Sequence, residues 1–404
     1  MKYFKKWATD LLACLLLLCC SSTLLAQQTN RQQTLKDIIQ TNFQFADSQY
    51  RYMMTLTPKD KMPQSYDAKE NKFIAREIQW WCSGFYPGSL WYIFEQTGNP
   101  VIKQEAERSL AVIEPNQTFT GNHDLGFMMY CSFGNAYRLT KNEKYKDIIF
   151  RSSESLATRY RPSIKAIQSW NKNAYFNCPV IIDNMMNLEM LSWATDNGAD
   201  AKYKDIAITH ANTTMANQFM KDYASYHIVD YNLETGKVAR KATWQGAANN
   251  SPWARGQGWG LYGYTMMYRF TKNKKYLKLA QNIAKFIINH PNLPADKIPY
   301  WDFEAPLMPL AKRDASAGAL MASALLELAT FTNGKDKQLF IDNAEQMIIS
   351  LASDKYRAKY GTNGGFLLQH SVGALSLNSE IDVPLVYADY YFLEALKRYK
   401  DWYL

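Results

Sequence analysis

The sequence contains little cysteine for its length. It has six cysteines in 404 residues, and three of them lie within the first 20 residues, which leaves Cys82, Cys131 and Cys178 in the remainder. Three cysteines allow at most one disulfide, so a disulfide-rich scaffold is excluded. The five histidines form no HExxH motif, and no cysteine pair stands at metal-ligand spacing. We therefore predict neither a metal site nor a cofactor.

The sequence also lacks a block of basic residues and, after residue 26, any long apolar run. Lys and Arg are scattered along the chain despite a net charge of +9, so the pattern does not favour a nucleic acid partner. The positive surplus instead mildly favours an anionic partner. No segment after residue 26 has the length and apolarity of a membrane-spanning helix, so no membrane span is predicted.

The first 26 residues have the pattern of an export signal. Three lysines among the first six residues precede an apolar run over residues 11–18, and small and polar residues follow as far as Ala26. We predict a signal peptide over residues 1–26 and a single exported domain over residues 27–404, in the periplasm. Lipid anchoring is less favoured, because Cys19 and Cys20 follow Leu and Cys where a lipidation site needs small residues.

A repeated unit indicates the architecture. The segments YRLTKNEKY (137–145) and YRFTKNKKY (268–276) are nearly identical, and three weaker copies occur elsewhere. In each copy an apolar helical pattern ends at a polar turn and a more amphipathic helical pattern follows, which predicts a hairpin of one buried and one half-exposed helix. The buried helices are predicted to begin near six residues: Ser83, Asp124, Asp183, Arg255, Asp314 and Asp382.

The two ends of the chain complete this pattern. The last buried helix, predicted from Pro384 to Tyr399, runs almost to the C-terminus and has no partner after it. The amphipathic segment from Thr34 to Met54 supplies that partner if the hairpins form a closed ring. We therefore predict an all-α fold, an (α/α)6 barrel of six helical hairpins. The alternative is an open helical superhelix of the kind found in repeat proteins.

Polar residues cluster at the predicted starts of the buried helices, which a closed barrel would gather around one cavity. Asp at a helix start has an ordinary explanation, helix capping, and we interpret Asp314 and Asp382 in that way. Asp124 and Asp183 have different neighbours, because His123 precedes the first and an apolar tetrapeptide precedes the second. Burial and a nearby second carboxylate raise a carboxyl pKa, so this pair could supply a general acid near neutral pH.

Aromatic residues and one arginine extend the same interpretation. The chain has 11 Trp and 27 Tyr, and aromatic faces suit the C–H surfaces of sugar rings. Arg255 is a planar double donor for a carboxylate, and a carboxyl pair across a cavity is the arrangement of glycoside hydrolysis. These features together suggest a uronic acid substrate. The candidate walls of its cavity are Trp81, Trp170, Trp259, Trp244–Gln245 and Tyr226–His227.

Five motifs together resemble those of the unsaturated glucuronyl hydrolases, family 88 of the glycoside hydrolases. They are WCSGFYPG (81–88), NHDLGF (122–127), DNMMNL (183–188), WARGQGWG (253–260) and DASAG (314–318), and the resemblance runs from about residue 30 to the C-terminus. It implies an (α/α)6 barrel and a substrate left by polysaccharide lyases, whose non-reducing uronic acid carries a C4=C5 double bond. In this chemistry an acid protonates C4, water adds at C5, and the product rearranges, opening the ring and releasing the aglycone.

The resemblance also implies roles for individual residues. Asp183 matches the residue that gives the proton to C4 and then helps to activate water, and Asp124 matches its essential carboxylate partner. Six further residues match positions that bind or stack on the unsaturated sugar: Trp81, His123, His227, Gln245, Arg255 and Trp259. The loop over residues 370–382, predicted to overlook the aglycone, contains no Lys or Arg, which argues against a dedicated sulfate contact there.

Two other functions stay open. One is the related unsaturated rhamnogalacturonyl hydrolase, which acts on pectin fragments, although the Asn-His-Asp and Trp-Ala-Arg-Gly-Gln signatures favour the glucuronyl branch. The other is an exported, non-catalytic sugar-binding protein, which would need the Trp and Arg residues but not both aspartates. The predicted partner in the favoured case is an oligosaccharide that contains an unsaturated uronic acid.

Overall fold

The computed structural model describes residues 31–404, so the predicted signal peptide lies outside the described residues. Within them the chain forms twelve helices, and a π-helical stretch, Gly126–Gly134, runs directly into the fourth. The helices are α1 (31–56), α2 (Phe85–Thr97), α3 (Pro100–Ile113), α4 (Asn135–Thr140), α5 (Glu143–Ala157), α6 (Asn184–Asp196), α7 (Lys202–Asn217), α8 (Ala254–Thr271), α9 (Lys274–Asn289), α10 (Ala315–Thr330), α11 (Gly334–Leu351) and α12 (Val386–Tyr403).

The even-numbered helices form a closed inner ring. Each contacts the next one in the chain, with the π-helical stretch serving for α4, and α12 contacts α2 to close the circle. The inner helices are buried on all sides, as α10 illustrates, where every residue from Ala315 to Ala329 is buried. The odd-numbered helices lie outside, and α9 buries one face, with Tyr276, Leu279 and Ile283 at helical spacing along it. The predicted (α/α)6 barrel is confirmed.

The repeated Thr-Lys-Asn segment forms the turn between an inner and an outer helix. Lys141 and Lys272 adopt the left-handed backbone conformation that ends α4 and α8, with φ values of 56° and 55°. The Asn that follows each Lys caps the next helix, since the Asn142 side chain accepts from the Lys144 N–H at 3.0 Å. Asn273 caps α9 in the same way. One short sequence therefore stops the first helix and starts the second.

The N-terminal helix completes the outer ring, as the sequence predicted. In α1 the Tyr50 hydroxyl donates to Asp389 of α12 at 3.2 Å, and the Tyr50 ring stacks on Tyr86 of α2 at a centroid distance of 5.9 Å. At the start of the described chain, Arg31 forms an ion pair with Glu345 of α11. The helix nearest the N-terminus thus packs against the last helix of the chain and its neighbours.

Short antiparallel strands occur in the loops between the helices. The strands are β1 (Met62–Asp67), β2 (Lys72–Arg76), β3 (Tyr160–Arg161), β4 (Ala166–Ile167), β5 (Pro179–Ile181), β6 (Ile228–Tyr231), β7 (Val238–Ala242), β8 (Ser371–Ala374) and β9 (Ser379–Val383). They pair as β1–β2, β3–β4, β5–β6–β7 and β8–β9. Three short 3₁₀ turns, Glu114–Thr118, Asn363–Gly365 and Leu375–Leu377, complete the regular structure of the described part.

The predicted starts of the inner helices hold to within two residues, except that the last begins at Val386, four residues after Asp382 and two after Pro384. Asp382 does not cap a helix, because residues 379–383 form β9 and α12 begins only at Val386. The Asp382 carboxylate instead binds Lys312 at 2.8 Å and His370 at 2.6 Å. The capping interpretation of Asp382 was therefore wrong. Asp314 does cap α10, since its carboxylate accepts from the Ser316 N–H at 3.0 Å.

Candidate active site

A cavity of about 260 Å³ opens at the end of the barrel where the inner helices begin. Among the residues that line it are seven of the eight predicted site residues: Trp81, His123, Asp124, Asp183, His227, Gln245 and Arg255. They come from the starts of different helices and from the β-hairpin β6–β7, so they are distant in sequence. The closed ring brings them together.

Backbone hydrogen bonds fix the loops that carry the two aspartates. The His123 N–H donates to Ser169 O at 3.0 Å, and the Ser169 N–H donates to Pro179 O at 2.8 Å. Strand β5, which leads to Asp183, pairs with β6, which follows His227, and the Ile182 N–H donates to His227 O at 3.1 Å. A continuous set of backbone bonds thus connects His123, Asp183 and His227.

Asp124 and Asp183 lie at helix starts without capping them. Asp183 stands at the N-cap position of α6, but its side chain makes no capping hydrogen bond, and its buried Oδ1 has no partner. Burial raises the pKa of Asp183 to about 7, against the lowering effects of Arg255 and of the Trp259 indole. Burial, and then the charge of Asp183, raise the pKa of Asp124 to about 8, against the lowering effect of Arg159. The two carboxyls therefore hold a proton near neutral pH.

The two histidines of the cavity are neutral. Burial lowers the pKa of His123 and of His227 to about 3 in each case. The 3.3 Å contact between His123 Nε2 and Asp124 Oδ1 is therefore not an ion pair at neutral pH. His227 Nδ1 accepts from the backbone N–H groups of Trp244 and Gln245 at 3.2 and 3.3 Å, so Nε2 carries the hydrogen. This Nε2 is buried without a partner, which makes it a donor available to a ligand.

Arg255 is held rigidly at the cavity wall. Its Nη1 donates to Asp314 Oδ2 at 3.2 Å and to the Val372 carbonyl, and its Nη2 donates to Gly373 O at 2.7 Å. The guanidinium also lies 4.5 Å from the centre of the Trp253 ring. Its Nε is buried and unpaired, so this N–H remains available for an anionic ligand. Asp314 thus has two functions, because it caps α10 and orients Arg255.

Tryptophan side chains form two walls. Trp81 packs against Tyr387 with a centroid distance of 4.8 Å and against Phe127 at 5.4 Å. On the other wall Trp170 stacks on Trp244 at 5.1 Å with an interplanar angle of 5°. Trp80 also lines the cavity, next to Trp81. A sugar ring in the cavity would contact aromatic side chains, as sugars commonly do in their binding sites.

Comparison with known proteins places this geometry in a family, although no family model matches the chain. Over 320 residues the chain is 48% identical to an unsaturated glucuronyl hydrolase of Formosa agariphila, a match that covers 79% of each protein. An unsaturated glucuronyl hydrolase of Bacillus sp. is 31% identical over 84% of this chain and 91% of its own length. The chain belongs to the unsaturated glucuronyl hydrolases.

Solved structures agree with this assignment. The crystal structure of an unsaturated glucuronyl hydrolase specific for heparin is 46% identical, with a TM-score of 0.87, over 90% of this chain and 97% of that one. The structure of the enzyme from Streptococcus agalactiae is 27% identical, with a TM-score of 0.84, over 92% of this chain and 94% of that one. As a member of this family the chain is a glycosidase, which agrees with the resemblance seen in its motifs.

Within this glucuronyl hydrolase, Trp259 does not lie where the sequence suggested. It is fully buried and is absent from the residues that line the cavity, so it offers no face to a sugar. Its ring packs between Phe127 and Tyr391, at 5.2 and 5.5 Å. The indole N–H lowers the pKa of Asp183, although it forms no hydrogen bond of ordinary geometry. Trp259 therefore packs in the core close to Asp183, and its role in substrate binding stays a prediction.

Three polar residues that line the cavity are not among the predicted site residues. Tyr387 lies at the start of α12, and Ser379 and Glu380 lie in strand β9. None of them belongs to a motif, and the segment over residues 370–382, which the sequence predicts as a loop, contains strand β8 and most of β9. Tyr387 follows directly after the Pro-Leu-Val segment that leads into α12. Its position at the sixth inner-helix start is therefore a sequence signal that indicates a place in the cavity.

Two further observations concern the described residues alone. Residues 31–404 contain no group of three or more His, Cys, Asp or Glu side chains arranged to hold a metal ion. No helix in this part of the chain is long and apolar enough to cross a membrane.

Proposed function

We propose that the chain removes the 4,5-unsaturated uronic acid from the non-reducing end of oligosaccharides that polysaccharide lyases release, with Asp183 as the general acid. One observation carries the proposal: two carboxyls with pKa values near neutrality share a sugar-sized cavity with unpaired donors on His227 and Arg255. The carboxyls supply a proton, and the unpaired donors suit the carboxylate and hydroxyl groups of a uronic acid.

The reaction uses the double bond rather than the glycosidic bond. The Asp183 proton adds to C4, the electrons of the C4=C5 bond form the new C4–H bond, and positive charge develops on C5 and the ring oxygen. A water then forms a bond to C5, and the Asp183 carboxylate takes the proton that this water loses. The resulting hemiketal opens its ring and releases the aglycone sugar, so Asp183 finishes in its starting state.

The remaining residues bind and orient the substrate. The Arg255 Nε–H and the His227 Nε2–H are fixed donors for the carboxylate, because each side chain is held by protein hydrogen bonds at its other nitrogen atoms. Gln245 is fixed beside them, since its amide donates to Gly373 O at 3.0 Å. Asp124 keeps a second carboxyl next to Asp183, and Trp81 offers an aromatic face to the ring.

The aglycone is proposed to be of the glycosaminoglycan type, with heparin-derived products as the first candidates. The relative specific for heparin is 46% identical to this chain, whereas the relatives named unsaturated chondroitin disaccharide hydrolases are 30% identical. Export to the periplasm after cleavage at Ala26 remains part of the proposal, and it rests on the pattern of residues 1–26 alone.

The decisive experiment follows the ultraviolet absorbance of the C4=C5 bond. Lyase-derived disaccharides from heparin, chondroitin, hyaluronan and pectin are mixed with the wild type, with Asp183→Asn and with the exposed control Asp60→Asn. We expect the band to disappear with at least one glycosaminoglycan product, to persist with Asp183→Asn, and to disappear at the wild-type rate with Asp60→Asn. Asp183→Asn keeps the size and hydrogen-bond acceptor of the side chain but cannot deliver the proton.

The alternatives give different results in the same assay. Loss of the band with pectin products alone would favour the rhamnogalacturonyl activity. Tight binding of lyase products without loss of the band would favour a sugar-binding protein and reject the hydrolase. Full turnover by Asp183→Asn would remove Asp183 from its role while leaving the activity in place.

A further inference from the structure

Glu380 is a third carboxylate in the cavity, and neither the motifs nor the reaction accounts for it. It belongs to β9 and lines the cavity together with Asp124 and Asp183. The one cation among the lining residues of the described chain is Arg255, whose charge is already partly compensated by Asp314. The cavity wall therefore has little positive charge to spare for a second anionic group on the substrate.

The Glu380 side chain is fixed in place by its surroundings. Gln64 of β1 donates its amide N–H to Glu380 Oε1, and Arg76 of β2 donates to the amide oxygen of Gln64. The Arg76 guanidinium lies 5.1 Å from the centre of the Trp80 ring, at the rim of the cavity. This chain of contacts orients one carboxylate oxygen and holds the β1–β2 hairpin against β9.

Glycine at position 373 leaves room for this carboxylate. A Cβ atom added to Gly373 would lie 2.1 Å from Glu380 Oε2 and 2.6 Å from Glu380 Cβ, so only glycine allows the side chain to lie there. The Gly373 carbonyl accepts from both Arg255 and Gln245. Glu380 thus lies directly beside the two residues that are proposed to bind the uronic acid.

The two carboxylate oxygens of Glu380 differ in their protein contacts. Within residues 31–404, Oε1 accepts from Gln64, whereas no protein donor bonds to Oε2. Backbone geometry supports this placement, because Glu380 has a φ of 54°, a left-handed conformation that is uncommon for a residue other than glycine. A fixed carboxylate oxygen without a protein donor accepts a hydrogen bond from a ligand and repels a negative charge placed at the same point.

We propose that Glu380 determines substrate specificity: its free oxygen accepts a hydrogen bond from a substrate hydroxyl and discriminates against substrates that carry a sulfate ester at that position. The inference rests on the proposed function, because it concerns which lyase products the same cavity accepts. It concerns a position that the motifs do not include.

Protonation of Glu380 should weaken this discrimination. Burial raises the pKa of Glu380, and Gln64, Arg255 and Arg76 act in the opposite direction. Cys82 and Tyr387 also face it, and burial raises the pKa of both, so they stay neutral near pH 7. A sulfate ester stays ionised as the pH falls, whereas Glu380 loses its charge. Asp124 and Asp183 titrate as well, and their effect on proton transfer to C4 is common to all substrates, so that effect cancels in a ratio of rates.

The test compares kcat/KM for an unsulfated lyase disaccharide and for each of its monosulfated isomers. We expect the wild type to prefer the unsulfated compound over at least one isomer by about tenfold or more, since like charges placed together cost several kcal/mol. Glu380→Gln should reduce that ratio at least fivefold, and the exposed control Glu234→Gln should leave it unchanged. In the wild type, the ratio should also fall as the pH is lowered.

Each other outcome has a definite meaning. An unchanged ratio in a folded Glu380→Gln variant, or equal rates of the wild type on all isomers, would overturn the specificity role while leaving the hydrolase intact. If Glu380→Gln does not fold, the wild-type pH series decides, and a ratio that stays constant as the pH falls counts against the inference. Turnover of sulfated products alone would also overturn the specificity role, whereas absence of turnover on every lyase product, sulfated or unsulfated, is a separate result that rejects the proposed function itself.

Discussion

Asp124 and Asp183 stand at helix starts, but their side chains do not cap the helices. Asp314 uses its carboxylate to accept from the first turn of α10, whereas Asp183 occupies the equivalent position of α6 and makes no such bond. Hydrogen bonds from helix N–H groups would stabilise the charged form and lower the pKa. At Asp183 burial outweighs the lowering effects of Arg255, of its own backbone N–H and of Trp259, so the pKa rises to about 7. A position at a helix start therefore does not by itself keep this carboxyl ionised.

The raised pKa values of this pair predict how activity depends on pH. The pKa is raised to about 8 for Asp124 and to about 7 for Asp183, so the pair loses its last proton as the pH passes about 8. Because the reaction begins with proton transfer to C4, kcat/KM should fall progressively above that pH. A profile on a lyase disaccharide, with circular dichroism to show that the fold persists, checks this. Constant kcat/KM up to pH 9.5 would contradict the assignment of the acid.

At the scale of elements, the π-helical stretch Gly126–Gly134 follows Asp124 directly and packs against α6. Asn187 of α6 accepts from the Phe127 N–H at 3.1 Å, so a side chain of one helix binds the backbone of the other. Gly126 permits this close approach, because an added Cβ would lie 2.5 Å from Asn187 Cα and 2.7 Å from its Oδ1. Stretches of π-helix occur often at functional sites, and this contact joins the two inner helices that follow the two aspartates.

Gly126→Ala tests that contact, with Gly134→Ala in the same stretch as its matched control. The added methyl at 126 meets backbone, so it should separate the helices, lower the free energy of unfolding by about 1–3 kcal/mol and reduce kcat. At 134 the methyl meets only the movable ring of Tyr130 at 3.1 Å, so a smaller change is expected. Denaturant melts and turnover of a lyase disaccharide measure both effects. Equal losses for the two variants would show that spacing at Gly126 is unimportant.

The sequence predicted the helical elements far better than the loops between them. Helix periodicity and the Thr-Lys-Asn turns are local signals, so five of the six inner helices begin within two residues of their predicted starts. The hairpin β8–β9 depends on strand pairing with a register shift and has no turn motif in the sequence, so neither the strand position of Asp382 nor the place of Glu380 in the cavity follows from the sequence. The burial of Trp259 likewise depends on how α8 is rotated within the ring, which its motif does not reveal.

At the scale of the whole molecule, the ring closes through contacts between the first and last helices. Asp389 of α12 is fully buried and accepts from the backbone N–H groups of Leu367 and Leu368, at 2.8 and 3.0 Å, and from the Tyr50 hydroxyl of α1. Burial raises the pKa of Asp389 to about 7, against the lowering effect of these bonds. One side chain thus joins α1, α12 and the loop before β8.

Asp389→Ala should destabilise the closed barrel, because it leaves two backbone N–H groups and the Tyr50 hydroxyl buried without partners. Each unsatisfied group costs about 1–3 kcal/mol, so the free energy of unfolding should fall by about 3 kcal/mol or more. Asp389→Asn keeps an acceptor and should lose less, and the exposed Asp37→Ala should change little.

The raised pKa of Asp389 also predicts how stability depends on pH. Between pH 4 and about 7 the folded wild type keeps a proton that the unfolded chain has released, so the stability that this group contributes falls as the pH rises through that range. Asp389→Asn should abolish this part of the decline, and denaturant melts at pH 5 and pH 8 measure the difference. If Asp389→Ala melts like Asp37→Ala at both values, closure does not depend on this carboxylate, and the other contacts of α1 hold the ring.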